Sequence, residues 1–229
     1  FNYTVTTTGT CTQTSATGTI TVRSIQTANA GPDHVGWAGC RITGTSLAGN
    51  CPSIGTGSWS IVSGTGGNIA SPTSPTSTFT GTAGTSYVLR WTISNGTCTA
   101  STADVTVNYY ATPTTATVGG TQNLCATLVS GPLGGNTPTI GTGSWSQFSG
   151  PGTTTFSAPT SGSSTATATV YGTYVYRWTI SNGTCTPSIA SVTVNYYATP
   201  TTATISTTPL NYCGTLTSGS LGGNTPTIG

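Results

Sequence analysis

The sequence predicts an all-β chain, a linear array of tandem β-sandwiches with a period of about 87 residues. Three observations carry this. The ten residues Arg90–Thr99 return letter for letter as Arg177–Thr186. Apolar residues alternate with polar ones at a period of two, as in half-buried strands, and no helical periodicity occurs. Charged residues make up only 3% and hydrophobic ones 34%, the rest being mostly Thr, Ser, Gly and Asn. Threonine is β-branched and suits a pleated surface, so this composition favours strands with hydroxyl-covered outer faces.

The copies fix the organisation. Trp59 and Trp145 stand 86 residues apart, Trp91 and Trp178 87, and Cys125 and Cys213 88. The block Asn108–Thr117 recurs as Asn195–Thr204, and Leu133–Gly141 recurs as Leu221–Gly229. Residues 1–25 read as the C-terminal part of a repeat, with Tyr3 and Val5 near the places of Trp91 and Ile93. Residues 26–110 and 111–197 read as complete repeats, and 198–229 as the N-terminal part of a further one. A chain that starts and stops inside repeats is expected to come from a longer parent.

Within a repeat, Tyr87, Leu89, Trp91 and Ile93 form the inward set of one strand, leaving Arg90 outward. Tyr174, Tyr176, Trp178 and Ile180 keep that phase, with Arg177 outward. Asn95-Gly96 and Asn182-Gly183 predict hairpin turns, since both residues tolerate positive φ. Val105 and Val107, like Val192 and Val194, belong to the returning strand. Gly57–Ile61 and Gly143–Gln147 predict short strands, each with an inward Trp. The second breaks parity, because Phe148 rather than Gln147 is apolar, and a bulge is expected there.

Seven cysteines accompany no C-x-x-C motif and a single histidine, which argues against zinc and for disulfides in an oxidising compartment. A repeat of this length, with short strands, a core Trp and a cysteine pair, suggests an immunoglobulin-type sandwich. The expected pairs are Cys40 with Cys98 and Cys125 with Cys185, enclosing 58 and 60 residues by subtraction. Cys11 and Cys213 would find partners outside this chain or in another chain, and Cys51, replaced by Thr137 in the next copy, would be free or compete for Cys40.

Several functions are disfavoured. Four arginines spread along the chain make no basic patch, so nucleic-acid binding has no electrostatic footing. No apolar run reaches the roughly 18 residues of a membrane span. Asp33 beside His34 is the sole acid–base pair on offer and lacks a nucleophile and an orienting partner, so no enzymatic activity, cofactor or metal is expected. Two acidic residues cannot build repeated calcium cages. The junction residues Tyr109, Tyr110 and Pro113, with Tyr196, Tyr197 and Pro200, form a candidate interdomain or intersubunit contact. The competing reading ends each last strand with one Tyr inside its own core.

The blocks Ala28–Asp33, Leu47–Asn50, Gly55–Ser60 and Trp91–Cys98 resemble the PKD-like repeats of giant bacterial surface proteins, such as SprB-type gliding-motility adhesins exported by type IX secretion. The resemblance spans essentially the whole chain. It implies an Ig-like sandwich, extracellular placement on the bacterial cell surface, and a part in adhesion or surface filaments. It supplies no catalytic residues. The expected partners are other copies or adjacent repeats of the same chain, with surface polysaccharide as a further candidate. The alternative function is a carbohydrate-binding or spacer module of a secreted enzyme.

Overall fold

A computed structural model describes residues 2–5, 14–33, 45–205 and 209–228. Cys11, His34 and Cys40 lie outside the described residues. The chain divides into two compact units, Phe1–Ala111 and Thr112–Gly229.

The strands follow the apolar alternation. In the first unit β1 (Asn2–Val5) pairs antiparallel with β2 (Thr14–Thr17). Next come β3 (Thr45–Ser46), β4 (Thr56–Ser63), β5 (Asn68–Ile69), β6 (Thr78–Thr80), β7 (Ser86–Ser94) and β8 (Ser101–Asn108). They form two sheets, ordered β4-β7-β8 and β3-β6-β5. The second unit has β9 (Gln122–Cys125), β10 (Thr142–Ser149), β11 (Thr154–Phe156), β12 (Ala166–Ala168), β13 (Gly172–Ser181) and β14 (Ser188–Tyr197). Its larger sheet runs β10-β13-β14-β9, with β9 parallel to β14. Its other sheet pairs β11 with β12, and the segment around Ser130–Leu133 bonds along β12 through Ser130 N–H to Ala166 O and Leu133 N–H to Ser164 O. This is the strand pairing of an Ig-type sandwich, in which two antiparallel sheets enclose the core.

Each core has a tryptophan pair at its centre. Trp59 and Trp91 are register partners with ring centroids 5.1 Å apart, and Trp145 and Trp178 repeat this at 5.1 Å. Close packing demands glycine beside them: a Cβ on Gly57 would fall 2.1 Å from the Trp91 ring, and one on Gly143 2.1 Å from that of Trp178. The hairpin β1–β2 places Tyr3 opposite Ala16, as Trp91 stands opposite Ala103 and Trp178 opposite Ala190.

Two local expectations are refined. The register shift expected at Phe148 is present between Gln147 and Ser149, and β4 carries a matching one between Ile61 and Ser63. The Asn-Gly turns are not two-residue hairpins with both residues at positive φ. Cys98 N–H bonds Asn95 O, and Gly96 alone takes a left-handed φ of 61°, with Asn95 ahead of the turn's centre. The Trp strands β4 and β10, each at the edge of its sheet, are also covered there. Trp59 N–H donates to Pro72 O and Trp145 N–H to Pro159 O, both at 2.8 Å, so the crossing segment covers the middle of each edge.

Candidate functional site

The side-chain ties that recur between the units lie at the two ends of each sandwich. At the entry end, where the chain joins the unit, Ala28 N–H donates to Ser101 Oγ and Ala116 N–H to Ser188 Oγ, both at 2.9 Å. An asparagine clasps this entering segment. Asn136 Oδ1 accepts the Thr117 N–H at 2.8 Å while its Nδ2 donates to Thr115 O at 3.0 Å. Asn50 holds Asn29 and Thr27 in the same way. Asn224 holds Thr204 and Thr202 likewise. Sequence reasoning missed this clasp, although Leu-Ala-Gly-Asn at Leu47–Asn50 and Leu-Gly-Gly-Asn at Leu133–Asn136 and Leu221–Asn224 marked it three times. The third copy keeps the clasp without a core: Leu221 is 66% exposed, whereas Leu133 is fully buried.

At the exit end, the first tyrosine of each junction pair belongs to its own core. Tyr109 OH donates to Phe79 O at 2.9 Å and lies 3.1 Å from Thr45 Oγ1. Tyr196 OH donates to Ala166 O at 3.1 Å. Both hydroxyls therefore tie the last strand to the opposite sheet, which corrects their assignment as interdomain contacts. The signal was available, since Tyr109 continues the inward phase of Val105 and Val107. Tyr110 is half-buried, Tyr197 is exposed, Pro113 is buried and Pro200 is exposed.

Burial raises the pKa of Tyr109 and of Tyr176, because a phenolate would lose its hydration inside the sandwich. Tyr196 is pushed up further, by burial first and then by the neighbouring Tyr176 hydroxyl.

The cysteines do not form the expected pairs. Cys98 and Cys125 are free thiols, as are Cys51 and Cys213. The reason for Cys125 is geometric. Cys125 sits opposite Tyr197, at the exit end of β14, while Cys185 lies in the turn before β14 begins. The ten residues of β14 span about 30 Å at roughly 3.3 Å per residue. A disulfide tolerates a Cα separation of only about 7 Å. Cys185 is buried and is not among the free thiols.

The outward arginines differ. Arg90 makes a two-pronged ion pair with Asp104, Nε to Oδ1 at 2.7 Å and Nη2 to Oδ2 at 2.8 Å. This hydrogen bonding lowers the Asp104 pKa and raises that of Arg90. Arg177 faces Ser191 instead, and its guanidinium lies 3.2 Å over the ring of Phe148, the residue turned out by the bulge. Asp33, read as part of an acid–base pair, accepts the Thr106 N–H at 2.7 Å and so satisfies an amide inside the edge strand β8.

Among the described residues no cluster of three or more His, Cys, Asp or Glu is placed to hold a metal, and no helix is long and apolar enough to cross a membrane. No family model matches the chain, and no curated protein matches it. Among solved structures it is similar to the sidekick-1 immunoglobulin domains 1–5, at 12% identity and TM-score 0.47, covering 82% of this chain and 42% of that one. It is similar to the fibronectin(III)-like modules of Clostridium thermocellum CbhA, at 12% identity and TM-score 0.37, covering 74% and 90%. It is also similar to protocadherin gamma B2 extracellular cadherin domains 3–6, at 14% identity and TM-score 0.35, covering 73% of this chain and about half, 49%, of that one. These likenesses concern the fold alone. The sheet pairing itself makes each unit an Ig-like β-sandwich.

Proposed function

We propose that this chain is a stretch of a repetitive extracellular structural protein, a bacterial surface adhesin or filament. One observation carries the reading: the same load-bearing frame is written repeatedly with almost no charge or chemistry between copies. The Trp pair, the entry clasp and the exit tyrosine tie recur at matching places in both units. A stalk or fibre needs such serial, self-sufficient modules. The resemblance to PKD-like repeats extends the reading to surface attachment during gliding and to export by type IX secretion. Tyr110, Pro113, Tyr197 and Pro200 are then the residues that set the stiffness of the linkers. A carbohydrate-binding module is less favoured, because Trp59, Trp91, Trp145 and Trp178 are all buried and the Phe148 face is covered by Arg177.

The test is immunogold labelling of intact cells of the source bacterium with antibodies to this chain. Labelled fibres on unpermeabilised cells, together with weakened attachment on deleting the gene, are expected. Labelling that requires permeabilisation overturns the proposal.

A further inference from the structure

We infer that Asn95-Gly96 is a self-modification site: the asparagine closes on the next backbone nitrogen, loses ammonia and becomes aspartate or isoaspartate, and Arg23 hastens the step. The inference rests on residues of the first unit alone and not on the reading as an adhesin.

Asparagine followed by glycine is the pairing most open to this chemistry, because no Cβ shields the glycine nitrogen from the side-chain carbonyl. The chain holds two such pairs, in the identical runs 94–99 and 181–186. In the first copy an arginine joins the pair. Gly96 is exposed at a left-handed φ of 61°, and Arg23 lies against it: a Cβ on Gly96 would fall 2.9 Å from Arg23 Nε and 3.0 Å from its Cζ. The glycine thus admits the guanidinium as well as baring the nitrogen. Arg23 Nη1 donates to Asn95 Oδ1 at 3.4 Å, and Asn95 Nδ2 donates to Ser24 O at 2.7 Å. Both ends of the side-chain amide are therefore held by the entering segment. The offset of 88 residues that carries Ala28 onto Ala116 carries Arg23 onto Ala111, so the second copy has no cation at that place in the sequence.

Water removes the Gly96 amide proton as its nitrogen attacks Asn95 Cγ. Negative charge collects on Oδ1, the atom facing the Arg23 guanidinium, and a cation there stabilises it more than it stabilises the neutral amide. The Cγ–Nδ2 bond then breaks, Nδ2 takes up a proton and leaves as ammonia, and a succinimide ring closes. Water opens the ring at either carbonyl, giving aspartate or isoaspartate. One water is consumed and one ammonia released, with no change of oxidation state. The new carboxylate cannot donate to Ser24 O, so the tie between turn and entering segment is exchanged for an ion pair with Arg23. Because Arg23 is exposed, screening keeps the acceleration modest, about two- to fivefold.

The experiment ages the whole folded chain in buffer and follows both Asn-Gly peptides by mass spectrometry, with aspartate and isoaspartate separated by chromatography. Asn95 should convert faster than Asn182 by that factor, and in urea the two should convert alike. Arg23→Leu should bring Asn95 down to the Asn182 rate, whereas Arg23→Lys, which keeps the charge, should retain most of the difference. Asn95→Asp, made directly, should raise hydrogen exchange across residues 24–29 and leave β7 and β8 protected. Conversion of Asn95 no faster than that of Asn182 overturns the proposal. So does an Arg23→Leu chain that converts Asn95 at the original rate or faster, since Arg23 would then restrain the turn and not activate it. Unchanged exchange in Asn95→Asp would overturn the exchange of ties.

Discussion

The two units solve one packing problem with different pieces. In the first, Ile69 pairs with Phe79 across β5 and β6, and Leu89 faces them from β7. In the second, the corresponding places hold Phe156, Ala166 and Tyr176. The phenyl ring has moved from one strand to its neighbour, and the aliphatic side chain opposite has become a tyrosine. The Phe79–Tyr87 contact, edge-on at 4.9 Å, is matched by Phe156–Tyr176 at 5.4 Å. Core filling is thus a sum over three strands, traded between neighbours and not held at any one position.

The largest effect comes from breaking that sum. Phe79→Ala empties a fully buried site and should cost the first unit about 3–5 kcal/mol. Adding Ile69→Phe and Leu89→Tyr to the same chain should recover part of the loss by installing the second unit's arrangement. Peptide-resolved hydrogen exchange on the whole chain reads each unit separately, and the second should be unaffected. If the triple variant protects the first unit no better than Phe79→Ala alone, the compensation argument fails.

Next in size is a change that should hit both units alike. Gly57→Ala and Gly143→Ala each drive a methyl into a Trp ring, and overpacking of this kind costs about 1–3 kcal/mol. Equal losses of exchange protection would show that the Trp pair is the shared frame. A loss confined to one unit would show that its partner has room to relax.

Alkali should separate the units again. Tyr176 and Tyr196 in the second unit, and Tyr109 in the first, have pKa values raised by burial. A raised folded-state pKa means that the stabilising form is the neutral phenol. Its contribution is complete below about pH 10, the unfolded value, and is lost as pH climbs toward the folded one. The second unit, with two such groups joined by a hydroxyl contact of 3.4 Å, should lose protection at lower pH than the first. Tyr176→Leu, which copies the first unit's Leu89, should narrow the gap. Identical alkaline midpoints would remove the tyrosine pair as the cause.

Much of this was legible in the sequence, because period-two alternation reports directly on which face a residue takes. Trp91, Ile93, Val105 and Val107 all lie where that phase puts them. The bulge at Phe148 showed as a break in parity. The one at Val62 did not, since Ile61 and Val62 are both apolar and either phase fits. The disulfides were misread for a more basic reason. Separation along the chain sets the size of a closed loop, but it does not say at which end of a strand a residue lies. That information came from β9, whose Gln-Asn-Leu-Cys sequence has no polar–apolar alternation and whose pairing onto β14 is parallel.

The smallest effect concerns the arginines, and it tests whether the outer faces matter to stability at all. Asp104 is held below the usual carboxylate range by its hydrogen bonds with Arg90, so its contribution is present above that range and disappears as pH falls through it. Both side chains are well exposed, at 40% and 42%, so water and salt screen the pair strongly. Asp104→Ser, which reproduces the Arg177–Ser191 pairing of the second unit, should therefore leave the first unit's neutral-pH stability nearly unchanged and abolish its slight acid and salt sensitivity. The second unit should show no such sensitivity, because Arg177 rests on a ring with no titrating group, and Phe148→Ser should release it without changing the response to acid. Melting curves of the whole chain at two salt concentrations and two pH values check both statements. A large loss from Asp104→Ser would mean that the ion pair organises the β7–β8 register, and the two outer faces could no longer be regarded as interchangeable coverings of the same core.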